Sequence, residues 1–212
     1  MKKLLAGIAE FRRNVRPLVR DTFAQLALGQ APDCLLFACS DSRVVPDLFA
    51  STQPGDLFVV RNVGNLVPPC DARGLSVTDR SEGAAVEFAC NVLGVRDIVV
   101  CGHSECGAMR AILARDIPGG SPNLTEWLEI GGDALAHLKD RPLGGPALAP
   151  HNRLSQISVL QQLEHLRTYP AVRERVAAGT VALHAWWFDL AAAEVLAFDA
   201  DAGGFVPLGD GD

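Results

Sequence analysis

Two cysteines and one histidine are the residues of this sequence best suited to hold a metal ion. Cys39 closes an apolar run, CLLFAC, while His103 and Cys106 follow a second apolar run and lie three residues apart. Thiolates and imidazole nitrogens are natural zinc ligands, and three protein ligands with one open position are typical of catalytic zinc. The spacing of His103 and Cys106 lets both side chains face one point from a loop or a first helical turn.

Other interpretations fit these three residues taken alone. An isolated HxxC segment near a buried cysteine commonly arises by chance, and such a segment binds no metal. A structural site with four ligands would need a further cysteine, for which Cys101 and Cys34 are candidates. A redox-active pair is disfavoured because the sequence contains no CxxC.

Asp41 and Arg43 favour the catalytic interpretation. Along an extended segment, residues 39, 41 and 43 point to the same side, so a carboxylate and a guanidinium would lie beside the Cys39 thiolate. Arg43 could bind Asp41 through two hydrogen bonds and keep it off the open metal position. Asp41 would then accept a hydrogen bond from metal-bound hydroxide. The alternative is a surface salt bridge, which would contribute little to stability.

The apolar pattern along the chain predicts strands that alternate with helices. We expect strands over 34–38, 56–60, 96–101, 180–187 and 193–198. We expect helices over 3–15 and 17–28, separated at Pro17, over 81–93, from near Cys106, and over 124–139 and 153–167. This order predicts an α/β fold with a mostly parallel central sheet flanked by helices. Active sites of such sheets lie at the carboxyl ends of strands, which is where Cys39 and His103 fall.

Composition narrows the classes of function. The chain has 212 residues, a net charge of −6 and no basic stripe, so we expect no nucleic-acid partner. No apolar run reaches the length of a membrane span, and the apolar stretch after Lys2 and Lys3 is too short for a secretion signal. We therefore expect a cytoplasmic protein with reduced cysteines. No linker or repeat divides the chain, which predicts one domain over 1–212 with a helical arm over 1–28.

The paired motifs CSDSR at 39–43 and CGHSECGA at 101–108 closely resemble the β-class carbonic anhydrases of the plant and cyanate-associated bacterial type. The resemblance continues through QPGDLFVVRNVGNLVPP, GAAVEFA and LHAWWFD, and so covers nearly the whole chain. It implies a lyase that reversibly hydrates CO2 to bicarbonate and a proton by means of zinc-bound hydroxide. A COS or CS2 hydrolase of the same family and an inactive zinc-binding scaffold are the alternatives.

The resemblance also assigns roles to residues. It implies Zn²⁺ on Cys39, His103 and Cys106, with Asp41 and Arg43 as the catalytic pair. It implies a substrate pocket that contains Gln30, Phe58, Val63, Phe88 and Gly107. In relatives, residues matching Gln30 and Phe58 come from a neighbouring subunit, and Phe88 departs from the tyrosine that many relatives carry. We therefore expect a dimer, or a tetramer or octamer built from it, in which the N-terminal helices pack on a partner.

Overall fold

A six-stranded sheet organises the chain in the computed structural model, which describes residues 1–117, 119–139 and 142–209. Residues 118, 140, 141 and 210–212 of the predicted domain lie outside the described residues. The strands are β1 (Cys34–Cys39), β2 (Leu57–Asn62), β3 (Asp97–His103), β4 (Ala182–Asp189), β5 (Glu194–Asp199) and β6 (Gly204–Pro207). Their order is β2-β1-β3-β4-β5-β6; β1 to β4 run parallel, and β5 and β6 are antiparallel additions at one side. The predicted α/β fold with a mostly parallel sheet is confirmed.

Strand β1 lies between β2 and β3, so its carboxyl end is surrounded by the ends of two neighbours. Cys39 is paired with Asn62 of β2, and Ala38 with Cys101 of β3. All but the first residue of β1 are buried, as expected for a parallel strand covered on both faces. The carboxyl ends of β1, β2 and β3 form one side of the sheet, which we call the metal edge.

Helices flank the sheet. The α-helices of the described residues are α1 (Lys2–Glu10), α2 (Arg16–Leu26), α3 (Pro46–Phe49), α4 (Ser81–Glu87), α5 (Gly107–Ala114), α6 (Pro122–Leu128), α7 (Gly132–Ala136), α8 (Pro150–Thr168) and α9 (Pro170–Ala177), of which α1 and α2 bury no residue. The long helix α8 packs against β3 and β4, and its buried apolar side chains include Leu154, Ile157 and Leu166. Apolar burial of this kind is the main force that holds helices on a sheet.

The predicted break at Pro17 is wrong. The chain stays helical through a π-helical segment, Phe11–Val15, and Pro17 stands in the first turn of α2. A first-turn position needs no intrahelical N–H donor, so proline is tolerated there. No residue of α1 or α2 is buried.

The predicted helix over 124–139 is also wrong as one element. It forms α6, a 3₁₀ turn at Glu129–Gly131 and the short α7. At Gly131, a Cβ atom would lie 2.5 Å from Cδ1 of Ile112 on α5, so a larger residue here would require the Ile112 side chain to move. Elements α3, α9 and β6 were absent from the prediction. Within the described residues, no helix combines the length and apolarity needed to cross a membrane.

Candidate metal centre

Cys39, His103 and Cys106 converge at the metal edge. Cys39 is the last residue of β1, His103 the last of β3, and Cys106 immediately precedes α5. Their ligand atoms all lie within 4.8 Å of one another, and all three residues are buried. The strand order explains this convergence, because β1 and β3 are hydrogen-bonded neighbours that end side by side.

The imidazole of His103 is oriented for a metal. Nδ1 lies 2.8 Å from the carbonyl oxygen of Ser104, and since a carbonyl only accepts, Nδ1 carries the proton. Nε2 therefore presents a lone pair. Within the part of the chain that the structure describes, this buried atom has no hydrogen-bond partner. A buried acceptor without a partner is costly, and a metal ion would satisfy it.

The thiols of Cys39 and Cys106 are hydrogen-bonded to each other, and this shifts their pKa values in opposite directions. A hydrogen bond from Cys106 is the main cause that lowers the pKa of Cys39 to about 4, with the backbone N–H groups of Asp41 and Gly64 contributing. The same hydrogen bond, together with burial, raises the pKa of Cys106. One thiolate therefore forms readily, while the second would place two negative charges side by side. A divalent cation between the sulfurs removes that penalty, so the donor set of two thiolates and one imidazole fits zinc.

Asp41 and Arg43 form a bidentate ion pair beside the cluster. Arg43 Nε lies 2.9 Å from Asp41 Oδ1, and Arg43 Nη2 lies 2.7 Å from Asp41 Oδ2. This pairing holds the pKa of the Asp41 carboxyl well below its usual range. The extended segment expected for residues 39–43 is wrong, because the Arg43 backbone N–H also donates to Asp41 Oδ1 at 3.0 Å and closes a turn.

Arg61, which the sequence analysis missed, fixes the loop that follows β1. From β2, its guanidinium donates to the carbonyl oxygens of Cys39 at 3.0 Å, Asp41 at 2.9 Å and Val44 at 2.8 Å. These bonds hold both the ligand and the Asp41 turn against the neighbouring strand. No local sequence signal marks this role, since it depends on the pairing of β1 with β2.

A second set of missed residues holds the loop between His103 and Cys106. Glu105, at a φ of 60°, receives a hydrogen bond from Asn152 Nδ2 at 3.1 Å on its carboxylate. Its backbone N–H donates to Asn152 Oδ1 at 2.7 Å. The carboxylate also pairs with Arg110 and lies 3.2 Å from His151 Nε2. Helix α8 thus fixes the ligand loop in a backbone conformation that side-chain-bearing residues rarely adopt.

Two of the predicted pocket residues lie at the metal edge. Val63 directly follows β2, and its side chain is part-exposed. Gly107 is the first residue of α5, directly after Cys106, and a Cβ atom there would meet nothing within 4 Å. Its backbone N–H belongs to the first turn of the helix, where amides have no intrahelical acceptor.

The structure does not bring the other three pocket residues to the metal edge of the same chain. Phe58 and Phe88 stack with ring centroids 5.8 Å apart, but Phe58 precedes Asn62 by four residues. At the rise of a β-strand, this places Phe58 about 13 Å from the metal edge. Gln30 is exposed and lies before the amino end of β1. The strand itself spans about 17 Å to Cys39.

Comparisons with known proteins agree with this geometry. The carbonic anhydrase family model matches residues 34–195. A carbonic anhydrase of Synechocystis is 38% identical, over 97% of this chain and 74% of its own length, and one of Pseudomonas aeruginosa is 39% identical, over 99% and 93%. The solved structure of the β-carbonic anhydrase CcaA superposes with a TM-score of 0.89 at 36% identity, covering 99% of this chain and 92% of that one. Two tetrameric β-carbonic anhydrases of Sordaria macrospora are represented by a structure with a TM-score of 0.79 at 29% identity, covering 93% of this chain and 95% of that one. This chain therefore belongs to the β-class carbonic anhydrases.

Proposed function

We propose that this chain catalyses the reversible hydration of CO2 to bicarbonate and a proton, with Zn²⁺ held by Cys39, His103 and Cys106. The observation that carries the proposal is the convergence of three buried soft ligands beside an ionised carboxylate. A structural zinc site does not need the carboxylate of Asp41 or the guanidinium of Arg43, whereas a site that activates water can use the carboxylate to orient that water. Family membership and the named carbonic anhydrases among the relatives support the same activity.

Residues of the chain orient the attacking water. When bound, zinc would supply an acidified water as the nucleophile, and because two thiolates offset the charge of the metal, we expect activity to rise into mildly alkaline pH. Asp41 accepts a hydrogen bond from the attacking water and orients it. Arg43 keeps both carboxylate oxygens engaged, at 2.9 Å and 2.7 Å, so that Asp41 stays ionised and away from the metal. An ionised, fixed acceptor needs no reorganisation during the reaction.

The substrate is small and apolar, which suits the surroundings of the cluster. Val63 offers a part-exposed apolar side chain next to the loop that contacts Cys39. The N–H of Gly107, in the open first turn of α5, can donate to an oxygen of CO2 or bicarbonate. The pocket thus combines an apolar wall with one placed donor, as small-molecule sites commonly do.

Completion of the pocket requires a second subunit. Gln30, Phe58 and Phe88 lie toward the amino end of β1 and β2, too far from their own metal edge to line it. The arm also exposes apolar side chains, among them Leu4, Leu5, Ile8, Phe11 and Phe23. Both observations support a dimer in which each subunit lends these residues to the other, and the Sordaria enzymes are tetrameric. We further propose that residues 1–212 act as one domain and that the protein is cytoplasmic, with all six cysteines free.

Stopped-flow hydration of CO2, with metal analysis of the same preparation, tests the proposal. We expect about one zinc per subunit, as one set of three ligands implies, and activity that follows zinc content. Hydrolysis of COS and CS2 is measured on that preparation in parallel. Faster turnover of either than of CO2 would contradict the assigned substrate while leaving the metal centre intact.

A further inference from the structure

One peptide group at the metal edge is hydrogen-bonded at both ends. The carbonyl oxygen of Val63 accepts from the indole Nε1 of Trp127 at 2.7 Å. The N–H of the same peptide, which belongs to Gly64, donates to Sγ of Cys39 at 3.4 Å. A donor on α6 is thereby linked through a single peptide to a metal-ligand sulfur.

The loop that carries this peptide is tightly fixed. Gly64 has a φ of 86°, and a Cβ atom there would lie 2.9 Å from Cβ of Ala108 on α5. Asn62 closes the turn, since its side chain both accepts from the Leu66 N–H and donates to the Leu66 carbonyl, each at 2.8 Å. These contacts set the position of the loop, and Trp127 adds a bond along the axis of the peptide that faces Cys39.

We infer that Trp127 is a positioning residue for the metal centre, acting through the Val63–Gly64 peptide on the Cys39 sulfur. The inference rests on the proposed function. A hydrogen bond accepted by a carbonyl polarises the whole amide and strengthens donation from its N–H. Trp127 therefore orients the peptide and makes the Gly64 N–H a better donor to the thiolate. Partners that act on a metal ligand in this way tune both affinity and electronic properties of the site.

Trp127→Phe tests this role, because it removes the indole N–H and keeps an aromatic ring. Trp186→Phe is the matched control. Within the described residues, the Trp186 indole donates no hydrogen bond, and the residue lies in β4, partly buried against the core. In the cobalt(II)-substituted protein, Trp127→Phe should shift the sulfur-to-cobalt charge-transfer band to lower energy, since the sulfur loses a donor. Competition with a chelator should show zinc bound on the order of tenfold more weakly.

Trp127→Met carries the same test without an aromatic ring, should the phenylalanine variant fail to fold. Both variants should shift the band in the same direction, while Trp186→Phe leaves the band and the zinc affinity of the parent protein unchanged. Wild-type metal binding with an unaltered band and affinity in the Trp127 variants would overturn the inference alone. A wild-type protein that binds no metal would overturn the proposed function as well.

Discussion

The metal edge and the N-terminal arm, residues 1–28, differ in whether their side chains find partners within the same chain. At the metal edge, the three ligand residues are buried, and the loops that carry them are fixed by partners from their own chain, such as the guanidinium of Arg61, which donates to three carbonyl oxygens. In the arm, apolar side chains such as Ile8 and Phe11 remain exposed, and no residue of α1 or α2 is buried.

One subunit can therefore build the metal centre by itself. Ligand positions depend on the pairing of β1 with β3, which is complete within the chain. Phe58 lies away from that edge and Gln30 before the amino end of β1, so a pocket containing them, as we propose, would need a second copy. The metal centre should therefore survive changes that weaken association, whereas full activity should not.

Loss of a ligand should have the largest effect. Cys106→Ser replaces a soft thiolate with a hydroxyl that does not ionise near neutral pH, so zinc and CO2 hydration should both be lost. Metal analysis and stopped-flow assay measure the two losses on one sample. Cys70→Ser is the matched control, since Cys70 lies outside the cluster and a serine can keep its hydrogen bond to the Thr168 carbonyl. Full zinc content in Cys106→Ser would place the site elsewhere.

Asp41→Asn should separate metal binding from turnover. The amide keeps the size of the side chain but loses the negative charge and one acceptor oxygen, so it cannot orient the attacking water in the same way. We expect normal zinc content and a fall in kcat/KM on the order of a hundredfold, as for removal of a positioned hydrogen-bonding group. Turnover close to that of the parent enzyme would remove Asp41 from the mechanism.

Charges on the apolar face of the arm should impair activity without emptying the metal site. The double change Ile8→Glu with Phe11→Glu places two carboxylates where a partner would pack, and so should shift the dimer toward monomer. Sedimentation velocity measures the shift, and activity should fall with the dimer fraction while zinc per chain stays constant. Arg12→Glu with Arg13→Glu, on exposed arginines of the same segment, is the comparison with two charge reversals. A charged-face variant that stays dimeric and fully active would leave the arm without the proposed role.

Mixed dimers should reveal a pocket shared between subunits. Cys39→Ser chains and Gln30→Ala chains, unfolded and refolded together, pair at random and give about half mixed dimers. In each mixed dimer, the Gln30→Ala chain keeps its ligands and receives an intact glutamine from its partner. About one quarter of wild-type activity should return as a result. An activity equal to the mean of the two parents would show that Gln30 serves its own subunit.

The substitution Glu82→Gln should give the smallest effect, a modest rise in melting temperature. Burial raises the pKa of this carboxyl, and Oε2 is a buried atom without a partner among the described residues. Because the folded pKa lies above the unfolded one, stability is present below the unfolded pKa and is lost as pH rises through the folded one. Glu82→Gln, which stays neutral, should therefore gain in melting temperature relative to the parent between pH 4.5 and 8, by roughly 2 °C. The exposed Glu126→Gln is the control, and a difference that does not vary with pH would contradict the burial argument.

The α/β fold and the placement of Cys39 and His103 at strand ends could be predicted because both depend on local pattern, whereas the role of ligand was implied by the family resemblance. Apolar runs of strand length mark β1 and β3, and the ligands follow directly where those runs end. The turn at Asp41 could not be predicted from alternation along a strand, since a side chain that accepts its neighbour's N–H competes with extension. Arg61 and Trp127 escaped notice because their partners are distant in sequence and meet them only in the folded chain.

X-ray absorption at the zinc K-edge of the wild-type protein reports the ligands of the metal itself. We expect two sulfur neighbours at about 2.3 Å and one imidazole nitrogen at about 2.0 Å, with a fourth light atom completing a tetrahedral site. Cys106→Ser should fail to show this shell. A wild-type spectrum with three or four sulfurs would indicate a structural site, and one without sulfur would indicate a different location; either result would rule out a zinc site made of Cys39, His103 and Cys106.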